Sequence, residues 1–137
     1  MNLFAKSSTS ISGEVVCPGD KSISQRALIL GSILNEDISI EGFLNGEDPI
    51  STANALNAIG SSITVNGTLV SIKKRHIPFK KPTTEVDLGN SGTGMRLMMG
   101  LISSLDIEAT LIGDESLTKR PMLRMANPLN DMGASIS

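Results

Sequence analysis

Two glycine-rich segments carry the residues that are best suited to bind an anion. Residues 18–26 place Lys21 and Arg26 after a Pro-Gly-Asp turn, and residues 89–96 place Arg96 after a turn with three glycines. A glycine-rich turn leaves backbone N–H groups free to face phosphate or carboxylate oxygens, and a helix that begins there adds the positive end of its dipole. Lysine and arginine supply the countercharge. The two segments therefore predict a site for anionic ligands.

A third basic position, Arg120, follows an acidic loop in residues 113–122. We expect Asp48, Asp114 and Glu115 to have structural roles, because carboxylates near the start of a helix cap free N–H groups or hold neighbouring basic side chains. The anion site is then expected to consist of fixed cations and N–H donors.

Each cation also has a structural interpretation. Lys21 could be a solvated lysine, Arg96 an exposed helical arginine, and Arg120 a surface arginine beside Lys119. A lysine in the first turn is poorly placed for the helix dipole, so an anionic ligand would explain Lys21. Pro121 would fix the loop that presents Arg120.

Composition narrows the class of protein. With 137 residues, 39% of them hydrophobic, and a net charge of -2, the chain can bury one ordinary core and has no basic excess for nucleic acid. Aromatic residues make up 2% of the chain, which leaves no stacking platform for bases. No segment approaches the roughly 20 apolar residues of a membrane span, and the start lacks the apolar run of a signal peptide. We therefore expect a cytoplasmic protein without nucleic-acid or membrane partners.

Single copies of cysteine and histidine limit the metal and redox chemistry. Cys17 is the one cysteine, which excludes an internal disulfide, and we expect it to be a buried packing residue on a strand. His76 is the one histidine and lies in a basic run without other ligand types nearby, so a metal site is not predicted.

The elements that would position the site alternate between strands and helices. The first half predicts strand 11–16, helix 22–34, strand 38–43, helix 49–59 and strands 63–65 and 69–72. The second half predicts strand 84–88, helix 92–103, strand 107–112 and a helix that begins at Pro121. Local signals are the helical spacing of Ile23, Ala27, Leu30 and Leu34, a helix cap at Asp48 with a stop at Gly60, and a hairpin turn at Asn66-Gly67.

An internal repeat organises these elements. Residues 54–63 and 127–136 share the pattern Asn-x-Leu-Asn-x-x-Gly-x-Ser-Ile. A period of about 70 residues exceeds the common solenoid units, so we interpret it as a duplicated α/β subdomain. We place the first repeat at about 9–73, a basic connector at 73–83 and an unfinished second repeat at about 84–137. The connector is either a solvated link or a substrate-facing basic patch.

Three of these segments together are specific to one family. Residues 18–28, 88–97 and 113–122 closely resemble the signatures of the EPSP synthase family of enolpyruvyl transferases. The resemblance implies an α/β (α+β) fold of two lobes, each an inside-out α/β barrel of three βαβαββ units, with the substrates in the cleft between the lobes. The chain would then be a partial N-terminal lobe over 1–137, with one complete unit and most of a second.

The same resemblance implies an activity. The family transfers the enolpyruvyl group of phosphoenolpyruvate to the 5-hydroxyl of shikimate 3-phosphate and releases phosphate, on the route to chorismate and the aromatic amino acids. It uses no metal or organic cofactor, and we expect the full-length protein to be a monomer. The principal acid and base carboxylates belong to the second lobe, which implies no catalytic residue in this chain. The C-terminal lobe of the same polypeptide is thus an expected partner, and the chain alone is expected to be inactive.

Site residues follow from the resemblance position by position. The family's contacts to shikimate 3-phosphate match Lys21, Ser22 and Arg26. Its contacts to phosphoenolpyruvate match Lys21, Gly92 and Arg120. Asn90, Thr93 and Arg96 lie in the same motif and are expected to shape that pocket. The small residue Gly92 implies that glyphosate competes with phosphoenolpyruvate.

The chain departs from the family pattern at one position, and two other functions are considered. Gln25 stands where many relatives carry His or Asn. The first alternative is the related enolpyruvyl transferase that acts on UDP-N-acetylglucosamine, although its signature has Lys-Asn in place of Lys21-Ser22 and it usually uses a loop cysteine, which a strand residue at Cys17 would not match. The second is a non-catalytic anion-binding module made of repeats.

Overall fold

The computed structural model describes residues 2–34 and 36–137, which form one mixed arrangement of helices and strands. The helices are α1 (Lys21–Leu34), α2 (Glu47–Ala58), α3 (Gly92–Ser103), α4 (Glu115–Thr118) and α5 (Leu123–Asp131). The strands are β1 (Ile38–Ile40), β2 (Ser62–Asn66), β3 (Leu69–Lys73), β4 (Val86–Asp87) and β5 (Leu111–Ile112). No helix in the described ranges is long and apolar enough to cross a membrane.

The first half contains a three-stranded antiparallel sheet in the order β1-β3-β2. The predicted hairpin is confirmed, but Asn66 still pairs with Leu69, so the turn centres on Gly67 and the residue after it. Gly67 has a φ of 59°, a conformation that favours glycine. Val70 and Ile72 alternate toward the interior of the molecule, which anchors the sheet under α1 and α2.

The second half contains a two-stranded parallel sheet, in which Val86 pairs with Leu111 and Asp87 with Ile112. Helix α3 follows β4 and helix α4 follows β5. Because parallel strands end at the same edge, the starts of α3 and α4 lie side by side. In α/β proteins this carboxyl edge is where ligands commonly bind.

The core joins both halves. Its largest fully buried side chains include Phe43, Leu28, Leu56, Leu88 and Met98. Met95 and Met99 are also buried, so methionines fill the core at α3.

Helix α1 is confirmed, but the apolar face that indicated it in the sequence is not the face that it buries. Ile23, Leu30 and Leu34 are exposed, and the helix buries the opposite face, which consists of Ser24, Gln25, Leu28, Ile29, Gly31 and Ser32. Small and polar residues form much of that face because α1 lies close to its neighbours there. The Cβ of an alanine at Gly31 would lie 2.6 Å from Ile72 Cδ1.

The strand predicted at 11–16 is wrong. These residues are irregular and exposed, and Ile11 and Val16 retain more than nine-tenths of their accessible surface. A strand needs a partner for its backbone hydrogen bonds, and no strand of the described residues pairs with this segment. Cys17 is exposed, so the prediction of a buried strand cysteine is also wrong.

Several boundaries also differ. Strand 38–43 ends at Ile40, and strands 84–88 and 107–112 contract to the two paired residues of β4 and of β5. Helix α2 begins at Glu47 after Gly46, which makes no side-chain cap bond, so Asp48 lies in the first turn and is not the cap. Helix α5 begins at Leu123 rather than at Pro121. The short helix α4 was not predicted.

The two segments of the repeat pattern fold in the same local way. The Asn57 side chain donates to Ile63 O (3.0 Å) and accepts from Ile63 N–H (2.8 Å). Asn130 makes the same pair of bonds to Ile136, at 2.9 and 2.8 Å. Each amide therefore ties the end of its helix to the segment that follows. The repeat boundaries themselves stay predictions.

Candidate anion-binding site

The first predicted segment forms the start of α1. Asp20 Oδ1 accepts a hydrogen bond from Ile23 N–H (2.7 Å) and caps the first turn. Lys21 is the first helical residue, and its Nζ lies 2.9 Å from Asp48 Oδ2 with half of the lysine side chain exposed. An ion pair this exposed contributes about 0–1 kcal/mol, so an incoming anion can compete for the lysine.

Ser22 and Arg26 lie one turn apart on the same helix. Arg26 Nη1 donates to Ser22 O at 3.1 Å. Arg26 is exposed and Ser22 is half-buried. The guanidinium is therefore held over the first turn of α1, and within residues 2–34 and 36–137 most of its donors are left for a ligand.

The second predicted segment forms the start of α3, and Ser91 caps it by accepting from Gly94 N–H (3.0 Å). Gly92 is the first helical residue and is buried. A Cβ on Gly92 would lie 2.8 Å from Arg120 Nη1 and 3.1 Å from Arg96 Nη1. Two guanidinium groups thus converge on a helix N-terminus, an arrangement that an anion would stabilise.

Arg96 is held partly by its own helix. Its Nη1 donates to Gly92 O at 3.0 Å. Its Nε is buried and has no hydrogen-bond partner within residues 2–34 and 36–137. A buried guanidinium N–H without a partner is costly, so a ligand or water is expected to complete it.

Arg120 is oriented by a chain of hydrogen bonds. Its Nη2 donates to Asn90 Oδ1 at 2.5 Å, and Asn90 Nδ2 donates to Asp114 Oδ2 at 2.7 Å. The bond from Asn90, followed by that from Leu117 N–H, lowers the pKa of Asp114 below its ordinary value. The carboxylate thus fixes the amide, and the amide fixes the arginine.

The expected structural roles of the acidic residues are confirmed. Asp48 pairs with Lys21. Asp114 caps α4 through Leu117 N–H (2.7 Å), and Glu115 Oε1 lies 2.6 Å from Lys119 Nζ.

The basic connector makes structural contacts. Lys73 pairs with Asp37 at 3.4 Å and Lys81 with Glu108 at 2.5 Å. The Arg75 guanidinium lies 3.8 Å from the centre of the Phe79 ring. These contacts favour the interpretation as a link over that of a substrate-facing patch.

The structure groups the predicted residues into two clusters. Asn90, Gly92, Arg96 and Arg120 meet at the start of α3, where half-buried Thr93 also lies in the first turn. Lys21, Ser22 and Arg26 form the second cluster on α1. Between the clusters lies Gln25, whose Nε2 is 2.8 Å from Ser91 Oγ.

Gln25 is the residue whose role the sequence analysis missed. It is fully buried, and its position three residues before Leu28 and four before Ile29 puts it on the buried face of α1. The available signal was this spacing, which was hidden by the stronger apolar pattern of the opposite face.

Fold and site together define a mixed α/β protein in which two arginines converge on the N-terminus of a helix. Residues 5–137 match the family model of EPSP synthase (3-phosphoshikimate 1-carboxyvinyltransferase). The chain belongs to this family.

Several relatives and solved structures are similar over most of the chain. The 3-phosphoshikimate 1-carboxyvinyltransferase of Ruthia magnifica is 48% identical over 132 residues, which cover 96% of this chain and 30% of the relative. That of Thermoanaerobacter sp. is 43% identical over 136 residues, with 99% and 32% covered. The EPSP synthase structure from Acinetobacter baumannii superposes with a TM-score of 0.84 at 40% identity, over 91% of this chain and 28% of that one. The chain thus spans about 30% of the length of its curated relatives.

Proposed function

We propose that this chain supplies substrate-binding residues for the transfer of the enolpyruvyl group of phosphoenolpyruvate to the 5-hydroxyl of shikimate 3-phosphate. The observation that carries the proposal is the convergence of Arg96 and Arg120 on Gly92 at the start of α3. The names of the relatives support this choice of substrates. Both substrates are polyanions, which such a site suits.

Shikimate 3-phosphate is assigned to the start of α1. Lys21, Ser22 and Arg26 offer an ammonium, a hydroxyl and a guanidinium within two turns of one helix. The half-exposed pair of Lys21 with Asp48 keeps the lysine in place before the ligand arrives. The phosphate would then exchange one weak ion pair for stronger charge-assisted contacts.

Phosphoenolpyruvate is assigned to the start of α3. Arg120 and the backbone of Gly92 would hold its phosphate and carboxylate, and Lys21 would reach it from α1. Asn90, Thr93 and Arg96 would shape the pocket, and Asn90 would do so by orienting Arg120. Absence of a side chain at Gly92 leaves both guanidinium groups free to approach the ligand.

These residues would bind and orient the two substrates, but they would not complete the reaction. Enolpyruvyl transfer needs protonation of the phosphoenolpyruvate methylene, attack by the 5-hydroxyl and elimination of phosphate from a tetrahedral intermediate. The fixed cations would stabilise the charge on the departing phosphate. General acid and base groups are also required, and the family resemblance assigns them to a C-terminal lobe. We therefore propose that the chain binds without turnover unless that lobe is present.

The remaining properties follow the family resemblance. We propose a cytoplasmic, monomeric full-length enzyme that works without a metal or organic cofactor. We also propose that glyphosate competes with phosphoenolpyruvate near Gly92. Inhibition that is unaffected by the phosphoenolpyruvate concentration would contradict that competition.

One of the two objections to the enolpyruvyl transferase that acts on UDP-N-acetylglucosamine no longer applies. Cys17 lies in an exposed irregular segment, so its expected place on a strand no longer counts against a loop cysteine. The motif difference at Lys21-Ser22 and the names of the relatives still favour shikimate 3-phosphate.

Titration calorimetry of the chain with shikimate 3-phosphate tests the proposal. We expect Lys21→Met and Arg26→Met each to weaken binding about tenfold or more, because each removes a charge-assisted contact worth about 1.5–3 kcal/mol. Arg124→Met is the matched control, since Arg124 is an exposed arginine on α5. Equal losses in all three variants would indicate nonspecific attraction and contradict the assigned site.

A further inference from the structure

A buried polar junction connects the two clusters of proposed ligand contacts. It consists of Gln25 on α1, Thr52 on α2, and Ser91 and Gly94 at the start of α3. Gln25, Thr52 and Ser91 are each fully buried. Gln25 Nε2 lies 2.9 Å from Thr52 Oγ1 and 2.8 Å from Ser91 Oγ. One amide therefore joins three helices.

The hydrogen bonds fix the orientation of this amide. Thr52 Oγ1 donates to Asp48 O at 3.1 Å, so it accepts from Gln25. Gln25 Nε2 also lies 3.3 Å from Asp48 O, which can only accept. A flipped amide would place its oxygen against that carbonyl. The NH₂ group of Gln25 must therefore face Thr52 and Ser91.

The junction is packed as well as hydrogen-bonded. A Cβ on Gly94 would lie 2.7 Å from Ser91 Oγ, 2.8 Å from Thr52 Oγ1 and 3.1 Å from Gln25 Nε2. Only glycine allows the first turn of α3 to come this close. Ser91 Oγ also accepts from Gly94 N–H, so the oxygen that receives the Gln25 bond is the cap of α3.

Stability alone does not explain a glutamine here. Gln25 Oε1 is buried and has no hydrogen-bond partner among the described residues. A buried oxygen without a partner costs folding free energy, which an apolar side chain of similar length would avoid. A glutamine here does connect α1, with Lys21 and Arg26, to the first turn of α3, with Gly92.

We propose that Gln25 is a positioning residue that sets the spacing between the two anion-binding clusters through the cap of α3. The proposal rests on the proposed function for the identity of the ligands. Asp48 connects the junction to the first cluster. Its backbone carbonyl accepts from Thr52 in the junction, and its carboxylate pairs with Lys21. Gln25 acts through Ser91 and does not itself contact a substrate.

Gln25→Met tests the role, because methionine keeps the length of the side chain and removes the NH₂ group that donates toward Thr52, Ser91 and the carbonyl of Asp48. Ser24→Ala is the matched control: Ser24 is also buried on α1, but its hydroxyl accepts from Leu44 N–H (3.0 Å), away from α3. We expect Gln25→Met to weaken binding of both shikimate 3-phosphate and phosphoenolpyruvate about tenfold. Ser24→Ala should lower the melting temperature and leave both affinities unchanged.

Ser91→Ala removes the acceptor of the Gln25 bond, together with the cap bond from Gly94 N–H, and serves if Gln25→Met does not fold. We expect the double variant to bind no more weakly than Ser91→Ala alone, because the bond that sets the spacing, between Gln25 and Ser91, is already broken in Ser91→Ala. Two results would overturn the positioning role. One is a double variant whose loss of affinity equals the sum of the two single losses. The other is a loss of affinity in Ser24→Ala as large as that in Gln25→Met, when the two variants are equally destabilised.

A readout without ligand separates this proposal from the proposed function. In amide NMR spectra of the free protein, Gln25→Met should shift Gly92 and Gly94 and speed hydrogen exchange of Gly94 N–H, whereas Ser24→Ala should not. Absence of these shifts would overturn the role of Gln25. If the unmodified chain bound neither compound, the proposed function would fail, and these spectra would still decide the role of Gln25.

Discussion

At the scale of single residues, the site depends on what is absent at Gly92 as much as on the arginines around it. A side chain there would meet the ends of Arg96 and Arg120 at 3.1 and 2.8 Å. Both contacts are closer than a Cβ normally tolerates, but the far ends of flexible side chains can move. Substitution should therefore disturb the site more than the fold.

Gly92→Ala should weaken phosphoenolpyruvate binding about tenfold or more and change the melting temperature little, because the displaced groups are the two guanidinium ends. Gly100→Ala on the same helix is the control, since nothing lies within 4 Å of its added Cβ. It should stabilise the helix by about 0.5–1 kcal/mol and leave binding unchanged. Calorimetry and thermal unfolding of both variants measure this; equal affinity of Gly92→Ala and the unmodified chain would refute the assignment.

Asp114 should make the stability of the fold decrease at low pH. The bonds from Asn90 and Leu117 N–H lower its pKa in the folded state. The stabilisation is therefore complete above the unfolded pKa and is lost as the pH falls through the folded pKa, which places the loss below about pH 4. In Asp114→Asn, melting temperature should fall less steeply over that range.

The control for this experiment is Asp106→Asn, which changes an exposed aspartate after α3. It should keep the acid dependence of the unmodified chain. If the melting temperature of Asp114→Asn depended on pH as that of the unmodified chain does, the chain of bonds to Arg120 would not hold a charged carboxylate.

At the scale of elements, local signals predicted the helices better than the strands. Helix 92–103 is confirmed at both ends, and its start is marked in the sequence by a serine cap and glycines. The hairpin is confirmed because its turn needs glycine at a positive φ. Strand 11–16 is wrong because a strand depends on a partner elsewhere, which an alternating pattern cannot supply. The buried face of α1 was missed because its residues are small or polar.

The helix-ending asparagines offer a test at this scale. Asn57→Ala should destabilise the chain by about 1–3 kcal/mol, because its two bonds are partly buried and tie α2 to strand β2. Asn130→Ala removes the same two bonds from an exposed place at the end of α5 and should cost less. Denaturant unfolding compares them; a larger loss for Asn130→Ala would contradict the greater importance of the α2–β2 connection.

At the scale of the whole molecule, the sequence motifs predicted which residues lie at the starts of α1 and α3, but not the polar junction that connects the two helices. The resemblance of three motifs to one family implied Lys21, Gly92 and Arg120 as site residues, because long motifs in a fixed order are specific. The polar junction around Gln25 joins residues that are 27 and 66 positions apart. Such contacts follow from tertiary packing, which local patterns do not contain.

We propose that this chain, about 30% as long as its curated relatives, holds both anion-binding clusters in a preformed state. A two-dimensional amide NMR titration of the labelled chain with shikimate 3-phosphate, and then with phosphoenolpyruvate, tests this claim most directly. We expect dispersed peaks, with shifts at Lys21, Ser22 and Arg26 for the first ligand and at Gly92 and Arg120 for the second. Dispersed peaks that move with neither ligand, or a collapsed spectrum, would contradict it.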